Sequence, residues 1–198
     1  MVDNHTLLAV LAAGRAQRFG GGKLDALCAG RALGEWATGT AEAAGFASRI
    51  IVVADDRPAF VSRLKGWMAV PNPNAASEGL ASSIRVAARA ASGYTRLIVV
   101  LADMPLMESA HLKALAETDG VAFTGYPDGS RGVPAAFPAR HFEALAAITS
   151  GAASANWGEE IKIVSPSSAC SLFDVDTPTD LNKAETMLAR RSANLSRS

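Results

Sequence analysis

Charge of a preferred sign is missing from this 198-residue chain, in which 19 lysines and arginines balance 19 aspartates and glutamates. A net charge near zero supplies no global basic field for nucleic acid, and no acidic block marks a solvated tail. Cysteine is scarce as well. Cys28 and Cys170 stand far apart without metal-ligand spacing, and no signal peptide precedes them. They therefore read as reduced thiols in a cytoplasmic protein. The longest apolar runs fall well short of the roughly 18 residues a membrane span requires, so no membrane partner is expected. No internal repeat is present. His111 and His141 have no partner at metal or triad spacing and read as surface or capping residues. No Ser-His-Asp or Cys-His arrangement is available for covalent catalysis. The length suits one α/β domain with a full core and is short for two. Residues 1–189 are expected to form that domain, with 190–198 as a disordered tail.

The most informative stretch is Leu7 to Lys23, LLAVLAAGRAQRFGGGK. Val10, Leu11, Ala12 and Ala13 predict a strand buried on both faces. Gly14 allows a sharp turn, and Gly20, Gly21 and Gly22 leave backbone amides unshielded. With Arg15, Arg18 and Lys23 they predict a concave site for several negative charges, as on a nucleoside triphosphate. Arginine suits forked phosphate contacts, whereas lysine acts as a mobile point charge. The same residues also read as a solvated glycine-rich turn. Two better-known glycine loops are excluded. A P-loop would need Gly where Gln17 stands and Ser or Thr where Leu24 stands. A dinucleotide fingerprint would need Gly where Ala16 stands.

Further along, Leu33 to Gly45 reads as a helix, Ile50 to Ala54 as a parallel strand, and Trp67 to Val70 as a third strand. Asp55 and Asp56 are expected to cap a helix before Pro58 rather than bind a ligand. Phe60, Val61 and Leu64 suit that helix's buried face. Gly79, Ser82 and Ser83 open an alanine-rich helix running to about Ser92. They read equally as ordinary capping and as an anion or sugar site. Leu97 to Ala102 is the strongest strand signal, and Pro105 ends its pairing, so Asp103 is presented at a carboxyl strand end, where open α/β sheets hold ligands. A plain cap reading of Asp103 stays open. A helix capped by Ser109 follows. Val121 to Gly125 and Val133 to Phe137 predict a hairpin turning at Asp128-Gly129. Ile161 to Val164 and Ser171 to Phe173 predict the last strands. Alternation puts Asp174 and Asp176 on one side, where both could approach one cation. Thr177 and Pro178 start a final helix to about Arg190.

Leu11, Ala12, Ala13, Gly14, Arg18, Phe19, Gly20 and Lys23 form the pattern LAAGxxxRFGxxK, which resembles the signature loop of nucleotidyltransferases related to molybdenum cofactor cytidylyltransferase. The EGLxSSxR segment around Gly79, Ser82 and Ser83, the LADMP string ending β-type residues at Ala102 and Asp103, and the DVDTPxD segment from Asp174 resemble that family too, through about Leu188. The resemblance implies a three-layer, doubly wound, mostly parallel α/β sheet of the nucleotide-diphospho-sugar-transferase type with a small β-hairpin insert. It implies Mg²⁺, or Mn²⁺, held by Asp103 with Asp174 or Asp176. It implies nucleotide contacts at Leu11 to Arg15, Gly20 to Lys23, Gly79, Ser82, Ser83 and Ala102, with Arg18, Lys23 and Asp103 as catalytic residues. Arg131, Gly132 and Pro134 resemble the Arg-Gly-x-Pro segment on the acceptor side, although a hairpin with a solvated arginine explains them nearly as well. The implied reaction moves a nucleoside monophosphate to a molybdopterin-type acceptor, with a molybdoenzyme or chaperone as a possible client. Ala13 points to CTP, because the guanylyl-type loop usually carries a second glycine. Two departures stand out. Ala16 replaces a common serine, and Gly151 to Trp157 lacks the aspartate and arginine many members have. These keep a sugar- or alditol-phosphate acceptor, and a non-catalytic nucleotide carrier, as alternatives.

Overall fold

β1 (Thr6–Ala12) is buried over its full length and pairs in parallel on both sides, with β4 (Ser48–Val53) and with β6 (Arg96–Leu101). The computed structural model describes residues 4–14 and 16–195. A strand covered on both faces has no solvent side, which is why TLLAVLA is apolar throughout rather than alternating. The other strands are β2 (Leu27–Cys28), β3 (Arg31–Ala32), β5 (Met68–Pro71), β7 (Ala122–Gly125), β8 (Arg131–Pro138) and β9 (Lys162–Val164). Seven of them form one sheet in the order β5-β4-β1-β6-β8-β7-β9, in which only β8 runs against its neighbours. β2 and β3 make a separate antiparallel ribbon that the sequence reading did not anticipate. The hairpin expected at Asp128-Gly129 is present as β7 and β8, built into the main sheet.

Side-chain alternation along β1 sorts the core into two layers. Leu8, Val10 and Ala12 face α1 (Leu33–Ala43), α3 (Ser109–Glu117) and α5 (Pro178–Leu195). Leu7, Ala9 and Leu11 face α2 (Ala75–Ala90) and α4 (Phe142–Ala146). This is a three-layer doubly wound sheet. The chain leaves β1 toward β4 and β5, then returns to β6 on the other side of β1, so the winding reverses beside β1. Open sheets bind ligands at such a reversal, outside the carboxyl strand ends.

Several local expectations need correction. Phe60 and Val61 are buried in a 3-10 turn, Ala59–Arg63, not an α-helix. Its first amides are capped by Asp25, whose carboxylate accepts from Ala59 N and Phe60 N at 2.8 Å each, so Asp55 and Asp56 are left exposed. Ser109 is the first residue of α3, and Glu108 holds the cap position without capping through its side chain. Ser171 to Phe173 is no strand. Ala169–Leu172 is a 3-10 turn in which Ser168 accepts from Cys170 N and Ser171 Oγ, a local hydrogen-bond set that competes with a sheet ladder. α2 starts at Ala75, before Gly79, and breaks at Gly79 (φ 60°, ψ −147°), a conformation reserved for glycine. α5 runs on past Arg190 to Leu195, because no glycine or proline interrupts it, and Arg191 Nη1 donates to Leu106 O. His111 is buried rather than superficial.

Candidate active site

A cleft of about 450 Å³ opens at the carboxyl ends of β1 and β6. Leu11, Ala12, Ala13 and Gly14 wall it from β1, Leu101, Ala102 and Asp103 from β6, and Gly79, Leu80 and Ser83 from α2. Ala102 N donates to Leu11 O, which carries the ladder between the two strands one step beyond β6. A Cβ built on Gly14 would meet nothing within 4 Å, so its backbone faces open space.

The loop after β1 folds as two 3-10 turns, Gln17–Phe19 and Lys23–Asp25. Gly20, Gly21 and Gly22 between them all have positive φ (90°, 97° and 61°), and a run of three such residues is open only to glycine. Their amides are not all free. Gly20 N donates to Gln17 O and Gly21 N to Ala16 O, and the three glycines lie outside the main cleft. Gly21 and Gly22 border a smaller recess with Asp56 and Arg57. Arg15 lies outside the described residues. Among the described residues, the cationic side chains that the loop brings to the cleft are Arg18 and Lys23, beside Gln17.

Both already have anionic partners. Lys23 Nζ lies 2.6 Å from Asp103 Oδ2 and 3.6 Å from Asp176 Oδ1, with its side chain only 9% exposed. Arg18 Nη2 lies 2.7 Å from Asp176 Oδ2, on a side chain that is 75% exposed. Val175 N donates to Asp103 O at 3.0 Å, and this bond pins the Asp174-to-Asp176 segment beside the end of β6. Residues some 70 positions apart in sequence therefore face one ammonium group. Partial burial and the nearby charges of Asp176 and Asp103 push the Asp174 carboxyl above its ordinary value, against the pull of its own backbone and of Lys23. Burial first, then Asp174, Asp103 and Asp128, pushes the Tyr126 phenol up to about 12.

Asp103 Oδ1 is buried and has no hydrogen-bond partner among the described residues. An orphaned carboxylate oxygen is a costly feature unless something binds it, and carboxylate oxygens suit hard divalent cations. Among the described residues, however, no group of three or more His, Cys, Asp and Glu side chains is arranged to hold a metal ion. Lys23 sits where the carboxylates would converge.

The two serines at the start of α2 differ. Asn72, buried after β5, donates through Nδ2 to Ser82 Oγ at 2.8 Å and Ser83 Oγ at 3.0 Å, and Ser82 Oγ donates to Gly79 O. Ser83 borders the cleft, whereas Ser82 is sealed behind it. Asn72 lies in the run Pro71-Asn72-Pro73-Asn74, whose composition signals a turn and gives no hint of this buried role. Arg131 and Gly132 line a second recess of about 250 Å³ that shares Leu80 with the main cleft. Arg131 Nε donates to Ala153 O at 2.9 Å, and its guanidinium lies 5.6 Å from the centre of the Phe123 ring. Pro134 is buried behind that recess, with its carbonyl accepting from Thr124 Oγ1.

A doubly wound sheet whose first βα turn brings cations against carboxylates from two distant connections defines the chain as a nucleotidyltransferase-type α/β protein. Its family follows from the sequence: residues 8–162 match the model of the MobA-like NTP transferase domain, and the chain belongs to that family. No curated protein matches it. Among solved structures, a nucleotidyl transferase from Methanothermobacter thermautotrophicus superposes with a TM-score of 0.82 at 20% identity, covering 96% of this chain and 100% of that one. A Mycobacterium tuberculosis protein solved in complex with manganese gives 0.68 at 22% identity, over 91% and 98%. Molybdopterin-guanine dinucleotide biosynthesis protein A from Archaeoglobus fulgidus gives 0.67 at 19% identity, over 93% and 99%. These likenesses establish the fold. Among the described residues no helix is long and apolar enough to cross a membrane.

Proposed function

We propose that this nucleotidyltransferase transfers CMP from CTP to a phosphate-bearing, molybdopterin-type acceptor and releases pyrophosphate. The observation that carries this reading is the meeting of Lys23 and Arg18 with Asp103 and Asp176 at the mouth of the cleft. An acceptor phosphate oxygen attacks the α-phosphorus in line. The new O–P bond forms as the bond from the α-phosphorus to the bridging oxygen breaks, and that electron pair leaves on pyrophosphate. Arg18 and Lys23 hold the β- and γ-phosphates and balance the charge that develops on the leaving group. The backbone at Leu11, Ala12, Ala13, Gly14 and Ala102 cradles the nucleotide, with Gly79 and Ser83 toward its base and ribose. Ser82 serves by shaping the Gly79 break. Asp103, together with Asp174 or Asp176, would hold a divalent cation, Mg²⁺ or Mn²⁺, which would neutralise charge on the α-phosphate; two carboxylates suffice for an ion that takes its other ligands from phosphate and water. The acceptor phosphate is already ionised, so no side chain need act as general base.

The second recess favours the molybdopterin-type acceptor over a polyol phosphate. Leu80, Ile84, Phe123, Val133 and Ala152 make most of its wall apolar. Two of its polar groups are committed internally, Tyr126 Oη donating to Val133 O and Arg131 Nε to Ala153 O. The flat face of a fused ring system can pack on such a wall while its polar edge stays toward the open mouth, whereas a polyol carries hydroxyls along its whole length, each of which needs a partner when buried. Arg131 and Gly132 shape this acceptor side, with Pro134 behind them.

Pyrophosphate release measured with CTP, GTP and ATP, each with a molybdenum cofactor source or with sugar and alditol phosphates, tests the reading. Turnover is expected with CTP and the molybdenum cofactor, falling by roughly a hundredfold to a thousandfold in Asp103→Ala, the scale at which one lost electrostatic group slows a reaction. Turnover with GTP alone overturns the base assignment. Turnover only with an alditol phosphate overturns the acceptor. Tight CTP binding with no turnover on any acceptor identifies a carrier.

A further inference from the structure

The residues that would receive the triphosphate and those that would receive the cation are, in this state, bound to each other. Lys23 is the central contact: its side chain is nearly buried, 2.6 Å from one oxygen of Asp103 and 3.6 Å from Asp176. Asp103 therefore offers one orphaned oxygen while its other is covered by an ammonium group. Arg18 closes Asp176 in the same way from the solvent side. A dication entering alone would sit against this fixed positive charge and compete with it for the same oxygens. A polyphosphate gives Lys23 and Arg18 an alternative anionic partner, and their departure uncovers the carboxylates.

We propose that the Lys23–Asp103 pair is a latch that makes cation binding conditional on the triphosphate, so that the two load together and the nucleotide-free protein binds divalent cation poorly. The proposal rests on the reading of the cleft given above. Lys23 thereby has two partners in sequence, a carboxylate before the nucleotide arrives and phosphate oxygens after. A ligand that binds one state of a two-state contact shifts it by its differential affinity, and the coupling is reciprocal between the two ligands.

Mn²⁺ binding followed by electron paramagnetic resonance, without turnover, tests this. Wild-type protein is expected to bind Mn²⁺ at least tenfold more tightly in saturating α,β-methylene-CTP than alone, after subtracting binding by the free analogue. In Lys23→Met, and in Lys23→Gln as a polar counterpart should methionine disturb the fold, the nucleotide-free protein is expected to bind Mn²⁺ at least tenfold more tightly than wild type. Arg18→Ala, on the exposed arm, should shift it in the same direction by less. Nucleotide-free Mn²⁺ affinity that is unchanged in both Lys23 variants, or equal in wild type with and without the analogue, overturns the latch. Asp103→Asn separates the two levels. If it abolishes Mn²⁺ binding while the Lys23 variants change nothing, the latch fails and the site stands. If it leaves Mn²⁺ binding intact in the presence of the analogue, the reading of the site fails and the latch with it.

Discussion

At the residue scale, the tautomer of His111 can be deduced from its neighbours. Thr124 Oγ1 has a single proton and donates it to Pro134 O at 2.6 Å, so at the 2.7 Å contact with His111 it must accept from Nε2–H. Nδ1 is then an unprotonated nitrogen, buried without a partner among the described residues. Burial lowers the pKa of His111, with Glu108 opposing weakly. A depressed folded-state value means the unfolded chain takes up the proton first as pH falls. The stability this neutral histidine contributes is therefore complete above its unfolded value, about 6.5, and is lost as pH drops toward the folded value, by up to about 1.4 kcal/mol per pH unit. Denaturant unfolding between pH 5 and 8 is expected to show that decline, and His111→Gln to flatten it. Identical slopes in both proteins would mean that His111 takes up its proton in place. Nothing in the sequence indicated this role, because burial of α3 against Thr124 is a tertiary fact. Asp103 was legible for the opposite reason: an apolar run ending in Asp-Met-Pro fixes both the strand end and its acidic side chain locally.

The elements show the same division. Strands β1, β4 and β6 were readable because buried parallel strands carry continuous apolar runs, and the Thr177-Pro178 start of α5 because Asp180 Oδ2 accepts from Thr177 N and Oγ1 while Thr177 Oγ1 accepts from Asp180 N. The Ala59–Arg63 turn was misread as a helix because its cap, Asp25, comes from 34 residues away and leaves no local signal. That turn also sets how closely α1 can approach. A Cβ on Gly34 would lie 2.3 Å from Phe60 Cζ and 2.5 Å from Cε1, and Phe60 is fully buried with no room to withdraw. Gly34→Ala gains helix propensity of up to about 1 kcal/mol. Overpacking a filled core costs about 1–3 kcal/mol, so the contact dominates and the variant is expected to be less stable in denaturant unfolding. A more stable variant would show that α1 can shift away from Phe60.

For the whole molecule, the reversal of winding beside β1 brings the loop of the first βα turn, the end of β6 and the connection before α5 to one cleft. The sequence carried the ingredients of that cleft but not their contacts. Residue types and strand ends pointed to phosphate and cation, whereas the pairing of Lys23 with Asp103, the internal use of the Gly20 and Gly21 amides, and the sealing of Ser82 behind Asn72 depend on packing between elements far apart in the chain. The acceptor side was least legible, since Arg131, exposed at the start of β8, is held by Ala153 O, in a segment whose sequence departs from the resemblance.

The central claim is that Arg18 and Lys23 bind the polyphosphate of a nucleotide lying across the first βα turn. The most direct measurement is the dissociation constant of α,β-methylene-CTP, by calorimetry at saturating Mn²⁺, for wild type and for Arg18→Ala/Lys23→Met. Two charge-assisted contacts worth about 1.5–3 kcal/mol each correspond to a loss of at least about a hundredfold. That loss, in a double variant that still unfolds cooperatively, is the expected result. Equal affinities, within about twofold, would contradict the account.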